Sequence, residues 1–282
     1  MYAVIDDAQS HRLLQGIRIP PQPRALLAVR AEQAKDDPDL GAIIRAVSTD
    51  VGMAAALLKA ANSAAFGGGG IGSIHQAVFR LGLNNTVHLV NGLALRMAMA
   101  GLNKMSLERF WNSAADTALV CANLVRQLKA VSISPGQAHA LGLFHDCGIP
   151  LLLQRFPHYL DILKAANASP DKTFIEVEDA ALNTNHAVVA YLVARSWQLP
   201  EVVVDTIRDH HCEDMLGDAA NSQAEPVALL TLAGHLTHRI RRAADDLMWE
   251  RVGDKVLATL SLSTSEYQEL ESDAEDWIKG NE

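Results

Sequence analysis

Apolar residues recur at helical spacing along almost the whole chain, and that single pattern excludes most architectures. Leu40, Ile43, Ile44 and Val47 fall on one face of a helix. Phe110, Ala114, Thr117, Cys121, Leu124, Val125 and Leu128 do the same along a longer helix that the spacing starts near Ser106. No run of alternating β-branched residues lies between turn signals, and aromatic residues are only 5% of the chain. The expectation is an all-α protein of roughly a dozen helices of ordinary length.

Helix starts are also marked. Asp37-Pro38 and Ser134-Pro135 each read as an N-cap followed by a proline at the first helical position. Ser73 to Gln76 and Thr173 to Glu176 have the form of capping boxes. Pro200 opens a helix carrying Val203, Ile207 and His210. One glycine run, Gly67 to Gly70 with Gly72 beyond Ile71, interrupts the pattern. Consecutive glycines could cradle a phosphate on backbone N–H groups, but a phosphate loop needs a strand before it and a Lys-Ser or Lys-Thr after it. Here a helix precedes and Ser73-Ile74 follows, so the run reads as a turn between helices.

With 282 residues, 49% of them hydrophobic, the chain can bury a large core in one big domain or two smaller ones. The net charge of -9 leaves no basic face for a nucleic-acid duplex. The densest basic cluster, His238, Arg239, Arg241 and Arg242, reads as a solvated helix end. Cys121, Cys147 and Cys212 form neither a CxxC pair nor a disulfide framework, and Cys147 and Cys212 read as inert thiols. No basic-then-apolar leader opens the sequence and no apolar stretch is long enough to span a bilayer. A reducing, cytoplasmic setting without membrane contact is expected. Residues 1–16 read as a lead-in, 17–213 as the main helical domain and 214–282 as a helical extension. The extension has a loop from Gly217 to Glu225, an apolar helix from Val227 to Ile240 and an acidic amphipathic helix from Ser263, expected to pack on the domain.

The residues that could carry chemistry lie in the second half. His145-Asp146 ends an apolar helix, His186 starts the next long one, and His210-His211 ends another. Imidazole beside carboxylate suits a borderline divalent ion, and these helix ends could converge. The same residues also fit a polar network buried between helices, with Asp146 accepting from a neighbouring His or from backbone N–H groups.

Several segments in order resemble the HDOD family. They are Ile19-Pro-Pro-Gln-Pro, Asp50-Val-Gly-Met, Leu57-Leu-Lys-Ala-Ala-Asn-Ser-Ala-Ala-Phe-Gly67 and Ile74-His-Gln-Ala-Val-Phe-Arg-Leu-Gly82. Phe110-Trp-Asn-Ser113, Gly142-Leu-Phe-His-Asp-Cys-Gly148, Asn185-His186, Trp197-Gln-Leu-Pro200 and Ile207-Arg-Asp-His-His211 continue the series. The resemblance implies a multi-helical HD-like bundle of two packed helical halves, here with a carboxy-terminal helical extension. It also implies kinship with metal-dependent phosphohydrolases, in which a His on an earlier helix, the His-Asp pair and a later Asp bind metal. Against that pattern, Asn112 stands where the first His is expected, Gly234 where the later Asp is expected, and Ile149 where a lysine often follows. No Gly-Tyr-Pro follows His210-His211.

The resemblance thus implies a non-enzymatic module of bacterial signal transduction with no cofactor. It would bind a signalling protein or a small ligand, with a hydrophobic groove between the two helical halves as the place to look. The alternative is a divergent phosphohydrolase acting on a nucleotide or cyclic dinucleotide. Its divalent metal would be held by His145, Asp146, His186, His210 and His211, with His139, His158 or His235 as replacement ligands if they face the pair.

Overall fold

The structure, a computed structural model, describes residues 16–100, 107–169, 171–218, 220–242 and 246–280. Every regular element among them is a helix. The first half holds α1 (Arg24–Gln33), α2 (Leu40–Ser48), α3 (Val51–Ala61) and α4 (Ile74–Ala100), the last broken at Gly82. The N-cap of α2 is Asp39, not Asp37: its carboxylate accepts from Gly41 N–H at 2.7 Å. Only a residue immediately before the first helical one can reach those free N–H groups. The stripe predicted for α2 is inward-facing, with Ile43 and Val47 buried.

The glycine run joins α3 to α4. Asn62 clamps it, accepting from Ile71 N–H and donating to Ile71 carbonyl, each at 2.9 Å. Arg80 donates to the carbonyls of Gly68 and, at 3.2 Å, Gly69. The loop therefore turns carbonyl oxygens toward a cation rather than N–H groups toward an anion. The expected capping box at Ser73 is shifted: Ser73 Oγ accepts from Gln76 N–H, but Gln76 returns to Gly72 N–H instead.

The second half holds α5 (Glu108–Gln127), α6 (Pro135–Phe144), α7 (Gly148–Arg155), α8 (Tyr159–Asn167), α9 (Phe174–Leu182), α10 (His186–Ser196) and α11 (Glu201–Asp209). Ser106, where the sequence pattern started α5, lies outside the described residues. Capping boxes at Ser134 and Thr173 start α6 and α9 as their sequences imply. The helices α12 (Ala224–Arg242), α13 (Leu247–Thr259) and α14 (Thr264–Lys279) follow, and α12 and α14 both pack on α5.

The centre of the molecule is α6, packed against both α4 and α5. A methyl group on Gly142 would sit 2.6 Å from Ala118 Cα, so this glycine lets the backbones of α5 and α6 meet. Gly148 does the same for α7 against the first residue of α10, where a Cβ would collide with the carbonyl oxygen of His186. One hydrophobic core runs from Leu26 through Leu141 and Val189 to Ile278. Arg30 ties the halves together. It donates to Asn91 Oδ1 at 3.2 and 2.9 Å, to the Trp197 carbonyl, and to Gln198 Oε1 at 3.2 Å. Among the described residues no single helix is long and apolar enough to cross a membrane.

Candidate functional site

Three helix ends converge because the two glycines above draw α6 and α7 against their neighbours. His145 is the C-cap of α6, His186 the first residue of α10 and His210 the C-cap of α11, with His211 next. Asp146 lies between them. Its Oδ1 is 3.3 Å from His186 Nε2 and 3.7 Å from His210 Nε2, and its Oδ2 is 3.3 Å from His145 Nε2. His211 Nε2 lies 3.0 Å from His186 Nε2. The five residues named from the sequence thus share one cluster.

The far nitrogen of three rings is fixed. His145 Nδ1 donates to the Gly142 carbonyl and His210 Nδ1 to the Ile207 carbonyl, each at 2.7 Å. A carbonyl can only accept, so these rings carry hydrogen on Nδ1 and turn Nε2 toward Asp146. His186 Nδ1 lies 2.6 Å from Glu178 Oε2, which also accepts from His186 backbone N–H at 3.1 Å, while Tyr159 OH donates to Oε1. Glu178 and His186 are both buried. Burial opposes charge on His186, but Glu178 and Asp146 overcome it and raise its pKa to about 10. Burial likewise opposes charge on Asp146, yet the imidazoles of His145, His186 and His210 hold it well below the usual carboxylate range. Burial, and for His211 the neighbouring imidazoles, push His210 and His211 down. In this state His186 is an imidazolium whose Nδ1–H donates to Glu178 and whose Nε2–H faces Asp146 and a neutral His211.

The donor set fits a divalent cation. His186, His210 and His211 each offer a ligand atom within 4.8 Å of the others. His210 Nε2 is buried and has no hydrogen-bond partner. Anchoring Nδ1 on a carboxylate or carbonyl is the arrangement that orients metal-binding imidazoles. An ion held there would sit on the Nε2 atoms and Asp146, displacing the His186 proton. The cavity beside the cluster has a volume of about 250 Å³.

The other sequence candidates lie elsewhere or are engaged. His235 lines this cavity, but its Nδ1 is 2.9 Å from Asp246 and its Nε2 3.1 Å from Tyr267 OH, so no ring nitrogen is left over. His139 and Asn112 line a different cavity, and His158 is exposed outside the cavity wall. Gly234 does line the site, and a Cβ there would meet nothing within 4 Å. Glu178 and Tyr159, which hold His186, and Phe174 and Lys172, which line the cavity, were not singled out by their sequence. For Glu178 a signal existed: with Ile175 it occupies the buried face of α9, an apolar position held by a carboxylate. Cys147 is buried and its thiol pushed up by burial, while Cys212 is half-buried.

A helical bundle with this His-Asp cluster at its centre defines a class, the HD-type phosphohydrolase-like folds. Within it, the chain belongs to the HDOD family, whose domain model matches residues 19–213. An uncharacterised protein of Treponema pallidum (strain Nichols) is 27% identical over 194 residues, 68% of this chain. The match spans only 37% of that relative's length. A protein of Shewanella amazonensis SB2B, provisionally named a phosphohydrolase, has the same fold at 22% identity and a TM-score of 0.71, with 95% of this chain and 96% of that one covered. A provisionally named signal transduction protein of Marinobacter aquaeolei VT8 shares the fold at 22% identity and a TM-score of 0.66, covering 99% of this chain and 66% of that one. At these identities the two likenesses are of fold alone.

Proposed function

We propose that the protein is a non-catalytic HDOD signalling module. In this reading the histidine-lined cavity takes a small ligand or a divalent cation, and a partner protein reads the resulting state. The observation that carries it is Gly234. The helix α12 crosses the cavity with no side chain at the place where a further carboxylate would complete the site. The cavity's other carboxylates are engaged: Glu213 with Arg251 at 2.9 Å and Asp246 with His235 at 2.9 Å. Asp146 is enclosed by three imidazoles, with His145 and His186 Nε2 at 3.3 Å and His210 Nε2 at 3.7 Å. Among the described residues no uncommitted carboxylate in the cavity wall is poised to take a proton from water, the group that hydrolysis of a phosphoester would need. A net charge of -9 favours a partner with a basic patch. The proposal places the module, residues 17–213 with the extension 214–282, in the cytoplasm of a bacterium.

The phosphohydrolase reading keeps one specific support, the convergence of the Nε2 atoms of His186, His210 and His211. A bound divalent ion would there supply a hydroxide near neutral pH and neutralise phosphoryl charge. Its substrate would be a nucleotide or cyclic dinucleotide. The deciding experiment is hydrolysis of bis(p-nitrophenyl) phosphate and p-nitrophenyl phosphate with Mn²⁺ or Mg²⁺, on protein purified without chelator and assayed for metal content. Background rates, unchanged in His145→Ala and Asp146→Ala, are expected. Turnover that both substitutions abolish would overturn the non-catalytic reading.

A further inference from the structure

A second and larger cavity, of about 870 Å³, is lined by two of the helices that line the first, α6 and α12, together with α3, α4, α5 and α14. The two share no lining residue. On α6, His139 faces the second cavity and His145 the first, six residues apart and so roughly 9 Å along the axis. On α12, Gly234 faces the first and Arg241 and Arg242 the second.

The charge of this cavity runs against that of the chain. Lys59 of α3, Arg96 of α4, Arg109 of α5 and Arg241 and Arg242 of α12 all line it, in a protein of net charge -9. Asp116 is the one carboxylate lining it among the described residues, and it is already paired with Arg241 at 2.7 Å. Lys59, Arg96, Arg109 and Arg242 have no ion pair among the described residues. These four cations come from four separate helices, and gathering like charges around one cavity is unfavourable unless an anion offsets it. His139 adds a polar group to the wall: its Nδ1 is buried with no hydrogen-bond partner. The rest of the wall combines apolar Leu93, Leu119 and Ile278 with polar Ser63, Asn112 and Ser113.

We propose that this cavity binds a nucleoside di- or triphosphate, the guanidinium groups of Arg96, Arg109 and Arg242 and the Lys59 ammonium meeting the phosphates and the apolar wall meeting the nucleoside. Arginine forks match phosphate oxygens in pairs, and a neutral imidazole can donate one further hydrogen bond. A cavity of this size holds a ligand of that class. Because α6 and α12 each reach both cavities, occupancy here and the state of the histidine cluster would bear on the same two helices. The site does not depend on whether the histidine cluster is catalytic.

The test is titration calorimetry of the full chain with ATP, GTP and pyrophosphate, at low salt and at 0.5 M salt. Binding of ATP or GTP to wild type is expected, weakened at least tenfold in Arg96→Gln/Arg109→Gln. Among the described residues neither arginine has an ion pair to lose, and thermal melts would check that the variant folds. Lys35→Gln/Arg45→Gln removes the same charge from another face and should bind as wild type does. No heat with millimolar nucleotide overturns the proposal. So does equal weakening by the Lys35/Arg45 control, which marks non-specific attraction. Affinity for pyrophosphate equal to that for ATP would remove the nucleoside from the proposal and overturn it in this form. Binding of a poly-glutamate peptide in preference to nucleotide would point to a protein partner and overturn it also.

Discussion

His186 Nδ1 lies 2.6 Å from Glu178 Oε2, within an interior that leaves the glutamate 0% exposed. Three donors, two of them from His186 and the third the Tyr159 hydroxyl, use both oxygens of that carboxylate. Truncation would strand a buried imidazolium and a buried hydroxyl. Glu178→Ala is therefore expected to cost about 3–5 kcal/mol in urea denaturation. Glu178→Gln, which keeps the shape and an acceptor oxygen, should cost clearly less. Equal losses in the two variants would mean that the charge pairing contributes little.

Gly148 holds α7 against α10 where no side chain fits. Gly148→Ala must push His186 away from Asp146, and overpacking of this kind costs about 3 kcal/mol or at times more. Thermal melts should show the destabilisation. A Ni²⁺ or Mn²⁺ titration should show any cation affinity of the cluster falling with it. A melting curve that matches wild type would contradict the contact.

Arg30 spans α1, Asn91 on α4 and the turn after α10. The expectation for Arg30→Met is a loss of about 2–4 kcal/mol, because a part-buried Asn91 and two carbonyls lose their donors. Lysine should not rescue it, since one ammonium cannot reproduce the fork. Recovery by Arg30→Lys to within experimental error would show that charge alone is needed.

Burial depresses His139 to about 4 and lowers His88. Unfolded imidazole titrates near 6.5, so the unfolded chain takes up these protons first as pH falls. Stability from keeping them neutral is therefore complete above about pH 6.5 and is lost between there and about pH 4, with a slope of up to ~1.4 kcal/mol per pH unit for each proton. Urea midpoints across that window should flatten in His139→Leu. A slope identical to wild type would place the acid sensitivity elsewhere.

Gly234→Asp puts a carboxylate into open space in the wall of the histidine cavity. Helix propensity does not oppose it, as Asp is a better helix residue than Gly. The expected outcome is divalent-cation affinity at least tenfold above wild type, read by calorimetry with Mn²⁺. Unchanged affinity would show that the Asp146 cluster lies out of reach of α12.

The all-helical class was legible in residue spacing, because a buried stripe on a helix must repeat with the helical period: Ile43 and Val47 face the core as their spacing implies. His145, Asp146, His186, His210 and His211 were legible as residues that could cluster, since they lie at or beside helix ends with local signatures such as His145-Asp146 or His210-His211. What the sequence could not determine was which helix ends meet. His235, one residue from an expected ligand, turned out to be held by Asp246 and Tyr267, and Asn112 faces another cavity. Lys172 and the cations of the second cavity carry no local motif, and Glu178 is marked only by its place on the buried face of α9. Periodicity is a property of neighbouring residues, whereas a site is assembled from residues far apart in the chain. Only the packing of α5, α6, α10 and α12, made possible where Gly142 and Gly148 lack a side chain, decides which of them touch.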